Sequence, residues 1–188
     1  MRQDAKRAIY DIAEDQMGYV TTAQAEASGV HPVLLVQLAR RGRLQRVSRG
    51  VYRVVEFPAQ PLEQYMQATL WPHGRRGVLS HETALGLYEI SDVDPPKVHI
   101  TLPPDFRIQR EIPAHLVVHQ DSLTPDEITR HEGMPITTPE RTIRDCIAAH
   151  LGAALLAPAI EQARRFGMLN AATAARLERA LRHEAATR

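Results

Sequence analysis

The stretch 18-GYVTTAQAEASGVHPVLLVQLARRGRLQRVSRGVYRVV-55 decides how the first part of the chain folds. It reads as two short helical patterns split by Gly29, then two alternating runs split by Gly50. Thr21 or Thr22 is placed to cap the first helix by accepting from a free backbone N–H. Ala23 and Ala27 share one face of that helix, small enough for a second helix to approach. Gly29 accepts the left-handed backbone of a tight bend, and Val30 plugs the angle behind it. Pro32 suits the first turn of the next helix, where its missing N–H costs nothing. There Leu34, Leu35 and Leu38 gather on one side. Val33, Val36, Gln37 and Arg40 occupy the other, with Arg41 at the C-terminal edge. Residues 44–47 and 51–54 then read as a hairpin joined by Ser48-Arg49-Gly50. Leu44 and Val47 cannot both face inward on a regular strand, so a bulge or an early strand end is predicted.

Charge singles out the same stretch. Arg40, Arg41, Arg43, Arg46, Arg49 and Arg53 lie within 14 positions, and no acid falls between Glu26 and Glu56. The whole chain carries +1, so the remainder carries −5 against the +6 of this segment. A basic face on a mildly acidic body is the pattern of a nucleic-acid binder. A helix pair followed by an arginine-lined hairpin is how a winged helix-turn-helix reads in sequence. Val33 and Val36 suit thymine methyls, Gln37 an adenine edge, and Arg40 a guanine or a phosphate. Arg49, at the hairpin tip, is placed for a phosphate or a minor groove. An ordinary solvated amphipathic helix would not explain six arginines gathered beside it.

Around this module the 188 residues predict an α+β protein: an N-terminal winged helix-turn-helix domain over 1–57, then a mixed α/β C-terminal domain over 58–188 with a small sheet and C-terminal helices. A helix is expected over 4–16 and another over 62–71, with a linker at 56–61 marked by Pro58 and Pro61. Val98, Ile100 and Leu102 alternate with His99 and Thr101 as a strand; 112–119 is β-rich, and 135–137 suggests a third short strand. Residues 124–128 read as a turn or short helix. Thr138-Pro139-Glu140 is a strong helix start, opening helices over 141–150, 153–166 and 171–184. The single cysteine, Cys146, sits among apolar and small residues and is expected to be a buried, inert thiol. The charged N-terminus is no secretory leader, and no run approaches about 20 apolar residues. A cytoplasmic protein without a membrane partner is expected.

Candidate chemistry in the body is sparse. No P-loop, dinucleotide fingerprint or nucleophile elbow occurs, so no catalytic residue and no cofactor are assigned. Histidines 81, 99, 115, 119 and 131 follow no ligand spacing, although His115 and His119 would share a strand face; no metal site is assigned. His81-Glu82, at a helix start, reads as a capping or hydrogen-bonded pair. Arg141 and Asp145 stand at i, i+4 and read as a helix-surface ion pair worth about 0.2–0.5 kcal/mol. An enzymatic body would instead gather His81, Glu82, Arg141 or Asp145 in one concave site.

Taken together, residues 18–31, 42–54, 80–89, 98–103 and 133–145 resemble, in this order, the AbiEi family of antitoxins from type IV (abortive-infection) toxin–antitoxin pairs. The resemblance implies an N-terminal domain that binds operator repeats in double-stranded DNA and represses its own operon. It implies a second domain that opposes a nucleotidyltransferase-like toxin. On the matching positions it implies DNA contact by Thr22, Gln24, Gln37, Arg40, Arg41, Arg43, Arg46, Ser48, Arg49 and Arg53, beside the Val33 read from the helix face. His81, Glu82, Arg141 and Asp145 are the candidates for toxin antagonism. The alternatives are a stand-alone regulator whose body senses a ligand or dimerises, and an enzyme acting on the toxin or on nucleic acid.

Overall fold

Helix α1 (Arg2–Glu14) turns Ile9 and Ala13 inward, one turn apart, and leaves Asp4, Lys6, Arg7, Asp11 and Glu14 in solvent. In the computed structural model, which describes residues 2–187, the chain is α+β and falls into two units. The first comprises residues up to Gly77 with Glu132–Met134; the second comprises Val78–His131 and the residues from Pro135 onward.

After α1 the first unit continues through β1 (Tyr19–Thr21), α2 (Thr22–Ala27), α3 (Pro32–Arg40), β2 (Leu44–Ser48), β3 (Val51–Val54) and α4 (Glu63–Leu70). Its sheet has the order β1-β3-β2, antiparallel throughout. The predicted bulge is present: Arg46 faces Tyr52 and Ser48 faces Val51, so Val47 is the extra residue. Thr21 caps α2 in a reciprocal box, accepting from Gln24 N at 3.2 Å while the Gln24 side chain accepts from Thr21 N at 3.0 Å. At the other end Gly29, with φ +75°, closes a Schellman turn in which Gly29 N donates to Glu26 O and Val30 N to Ala25 O. That closure turns the Ala25–Val30 side of α2 onto the core. Ala25 and Val30 are therefore buried, and the Ala23–Ala27 face, expected to meet a helix, is exposed instead. The core joins Ile9, Val20, Leu35, Leu38, Leu44, Tyr52 and Val54.

The second unit carries β4 (Val78–Leu79), α5 (His81–Leu87), β5 (Val98–Leu102), β6 (Leu116–Gln120), a 3₁₀ turn (Pro125–Glu127), β7 (Ile128–His131), β8 (Met134–Thr137), α6 (Pro139–Ala148), α7 (Ala153–Arg165) and α8 (Ala171–Ala186). The sheet order is β6-β5-β4-β8-β7. β4 runs antiparallel to β5 but parallel to β8, and β5 runs parallel to β6. Thr138 and Pro139 start α6 as expected, the Thr138 side chain accepting from Arg141 N. Leu85, Ile143, Cys146, Leu156, Ile160 and Leu177 share the core between α5 and the three last helices. Cys146 is buried, and burial pushes its thiol pKa up, so it is held as the unreactive thiol. Among the described residues no helix is long and apolar enough to cross a membrane.

Gly18 joins α1 to the first strand at φ +88°, and a β-carbon there would stand 2.8 Å from Phe57 Cβ. Its N–H closes on Ala13 O and its carbonyl accepts from Val54 N, so the position cannot yield without opening both. Gly18→Ala is expected to destabilise the first unit by at least about 1 kcal/mol. Urea unfolding with an unchanged midpoint would show that this junction carries no such constraint.

Candidate nucleic-acid interface

Helix α3 owes its placement to its own sequence. His31 Nδ1 accepts from Val33 N, Pro32 occupies the first turn, and Leu35 and Leu38 are buried on the core side. What remains outward is Val33, 51% exposed, and Val36, 41% exposed, with Gln37 half-buried and Arg40 and Arg41 exposed beyond them. Two exposed valines on a helix with ample polar alternatives form a small apolar stripe flanked by guanidinium groups. Such a surface can pack on thymine methyls while arginines reach base edges or phosphates. On the neighbouring hairpin Arg46 and Arg49 are exposed and Ser48 is half-buried. Arg40, Arg41 and Arg46 enter no ion pair among the described residues. Thr22 N donates to Gly50 O at 2.8 Å, which fixes the hairpin tip against the start of α2.

Other residues expected at this face are engaged within the unit. The Gln24 amide is exchanged with Gln16, donating at 2.8 Å and accepting at 3.2 Å, besides serving the cap. Arg43 pairs with Glu56, which also accepts from Tyr10. Arg53 is half-buried: its Nε and Nη2 bond Glu63 Oε1 at 3.2 and 2.8 Å, and Nη2 also bonds Phe57 O at 3.0 Å. Tyr19 Oη donates to Glu63 Oε2 at 2.9 Å and accepts from Gln67 at 2.7 Å, with the Arg53 guanidinium 5.9 Å from its ring centre. Burial and the Glu63 carboxylate push the Tyr19 phenol up to about 12. Burial alone would raise Glu63, yet its bonds from Arg53, Tyr19 and the Gln60 backbone win and hold it below the usual carboxylate range. Glu63, Gln67 and Gln16 were missed from sequence because their partners lie in other elements.

In the second unit the four remaining candidates separate into two clusters. His81 and Glu82 meet His99 and His119. The His81 and His119 rings stack with centres 3.5 Å apart, His99 Nδ1 lies 3.1 Å from His119 Nε2, and it lies 2.8 Å from Glu82 Oε2. Ser80 Oγ accepts a bond from Thr101 at 2.8 Å and lies within hydrogen-bond distance, 3.0 Å, of His81 Nδ1. A serine beside a histidine suggests a nucleophile and its base, but Ser80 is 0% exposed and offers no attacking oxygen. Stacked rings also turn faces rather than lone pairs toward one another, and no group of three or more ligating side chains arranged for a metal occurs among the described residues. The expected His115–His119 face does not form, because β6 begins only at Leu116; parallel pairing of β5 with β6 sets His119 beside His99.

Arg141 and Asp145 are not the surface pair that their spacing suggested; both are buried. Arg141 Nε bonds Asp145 Oδ1 at 2.7 Å, and Nη1 bonds Glu127 Oε2 at 2.8 Å and Ser122 O at 3.0 Å. Nη2 pairs with Asp121, while Arg144 adds a second cation on Glu127. Folding the 121–127 segment over α6 is what removes the pair from water. Burial would raise Glu127, but the Thr124 backbone and the two arginines bring its carboxyl down to about 2. This geometry clamps a segment onto a helix.

Residues 7–55 match the family model described as transcriptional regulator, AbiEi antitoxin. The resemblance seen in residues 18–55 is thus recovered, and its later pieces lie outside the matched residues. No curated protein matches. The solved structure of the RV2827C protein from Mycobacterium tuberculosis is similar over 93% of this chain and 71% of that one, at 18% identity and a TM-score of 0.53. At that identity the likeness speaks for the fold alone.

The histidine cluster sets a pH dependence. Burial, then the neighbouring His119 and His99, bring His81 down to about 3; burial likewise lowers His119. Below about pH 6.5 the unfolded chain takes up a proton that folded His81 refuses, so stability falls as pH drops toward 3. His81→Asn keeps a hydrogen-bonding group toward Ser80 and tolerates the left-handed backbone of this residue, φ +51°, but does not titrate. The variant's stability should decline less steeply between pH 6.5 and 4, by up to about 1.4 kcal/mol per pH unit. Parallel curves for the two proteins in denaturant titrations would exclude His81 as the titrating group.

Proposed function

We propose that this protein is a DNA-binding antitoxin that represses its own toxin–antitoxin operon. Residues 1–57 act as a winged helix-turn-helix, α3 entering the major groove and the β2–β3 hairpin serving as the wing. The observation that carries this reading is the outward face of α3, where exposed Val33 and Val36 stand with Arg40 inside the segment that matches the regulator family. Packing gives no reason for those valines to face solvent, and base methyls do. Val33, Gln37, Arg40 and Arg41 read the groove; Thr22, Arg46, Ser48 and Arg49 lie along the backbone. Arg43 is a rim contact shared with Glu56. Gln24 and Arg53 act from behind, the first holding the α2 cap and the second holding β3 to α4.

Residues 58–188 oppose a nucleotidyltransferase-like toxin by binding rather than by catalysis. Residues 58–188 lie beyond the matched segment; what supports this half is the resemblance of residues 80–89, 98–103 and 133–145 to the same family, together with a buried Ser80 that leaves the histidine cluster without an exposed nucleophile. His81 and Glu82 shape the surface beside β5. Arg141 and Asp145 contribute by keeping the 121–127 segment in place.

The test for the first half is binding to a duplex spanning the gene's own promoter, followed by fluorescence anisotropy against an unrelated duplex. Arg40→Ala should cost about 1–3 kcal/mol of specific affinity. Arg53→Ala should lower the melting temperature and leave the specificity ratio unchanged. Unaltered specific affinity in Arg40→Ala would remove α3 as the reading helix. For the second half, co-expression with an adjacent nucleotidyltransferase-like gene should restore growth; persistent toxicity with a soluble antitoxin would end that part of the reading.

A further inference from the structure

We propose that the loop of residues 72–76 and the hairpin tip together form a seat for a DNA backbone phosphate, giving the first unit a third grip on the duplex beyond α3 and the wing. The inference rests on the DNA-binding reading above and extends it to residues outside the family match.

An open cleft of about 130 Å³ lies between these two segments, with Arg49, Gly50, His73, Arg75 and Arg76 on its walls. That leaves room for a phosphoryl group. Three arginines line the cleft, and no Asp or Glu is among its lining residues. Such a concentration of one sign repels cations and attracts a phosphate dianion or diester. Leu70, Pro72 and Val51 also line the cleft, so bound charge would be partly shielded from water.

The loop is held in position rather than hanging free. Trp71 and Pro72 are buried at its start, and Gly77 N donates to Thr69 O at 2.8 Å at its end. Arg76 Nη2 rests 3.3 Å from Met66 Sδ on α4. His73 comes up to the hairpin tip so closely that a β-carbon on Gly50 would stand 3.5 Å from its Cδ2. Arg75, at the crest, is exposed and enters no ion pair among the described residues. A cationic crest beside the wing tip, on a cleft with no Asp or Glu in its lining, is chemistry suited to a phosphate.

The experiment is a salt titration of duplex binding between 50 and 300 mM, using a 40-bp duplex from the gene's own promoter. Four proteins are compared: the wild type, Arg40→Ala, Arg75→Ala, and Arg165→Ala, which removes one exposed cation from the end of α7. Losing one phosphate contact should reduce the slope of log affinity against log salt by about 1 in Arg75→Ala, with affinity falling severalfold at 150 mM. Arg165→Ala should match the wild type. If the wild type shows no salt-dependent binding, the DNA-binding reading fails and the seat fails with it. If the wild type binds, Arg40→Ala weakens it and Arg75→Ala keeps the wild-type slope, only the seat is overturned. Equal losses in Arg75→Ala and Arg165→Ala would replace it with diffuse attraction to net charge.

Discussion

Strand β3 is bonded along both edges, Val51–Arg53 to β1 and Val51–Val54 to β2, and the first unit's exposed chemistry is positioned from it. Through β1 it fixes the cap of α2; through β2 it fixes the hairpin that stands beside α3. Its own Arg53 reaches the other way, into Glu63 and Tyr19, and binds α4 to the sheet. Four residues thus hold a helix pair, a hairpin and a supporting helix in one frame. Because strand side chains alternate, Tyr52 and Val54 take the core while Arg53 takes the opposite face. A slip of one residue would bury the arginine and expose the core.

The same frame changes how the charge of this region should be understood. Counted along the chain, six arginines form one basic block. In space Arg43 and Arg53 answer Glu56 and Glu63, both of which lie just after the block in sequence. The cationic face left on α3 and the hairpin is therefore narrower than the count suggests, with Arg40, Arg41 and Arg46 in no ion pair among the described residues. In the proposed DNA-binding role, fewer charges beside an apolar stripe favour discrimination between sequences over indiscriminate adhesion, since phosphate contacts alone carry no sequence information.

Local signals were legible and distant ones were not. Thr21, Gly29 and Pro32 announced their cap, turn and helix start because each acts within a few residues of itself. The clash between Leu44 and Val47 announced the bulge for the same reason. Ala23 and Ala27 misled because equal spacing marks a face without saying which way it points. The Arg141–Asp145 spacing gave the partner correctly and the environment wrongly, since burial came from a segment 14 to 20 residues upstream. His99 and His119 were each visible, but their meeting depends on a parallel pairing between β5 and β6 whose connection carries no hairpin signal. Arg75 and Arg76 belong to no motif of their own, and folding sets them on the same cleft as the hairpin tip.

Chain topology has a consequence for the order in which the two parts mature. In the first unit's sheet the most distant partners are Tyr19 and Arg53, whereas in the second Leu79 must wait for Ile136. Closing longer loops costs more entropy before any contact rewards it, and parallel pairings are slow for that reason. During synthesis the helix-and-hairpin frame has all its strands in hand while the last strands of the larger sheet are still unmade. The surface of α3 and the hairpin therefore assembles on a nascent chain earlier than the body does, and a transcript cut short after α4 encodes the strands that support that surface but not the large sheet.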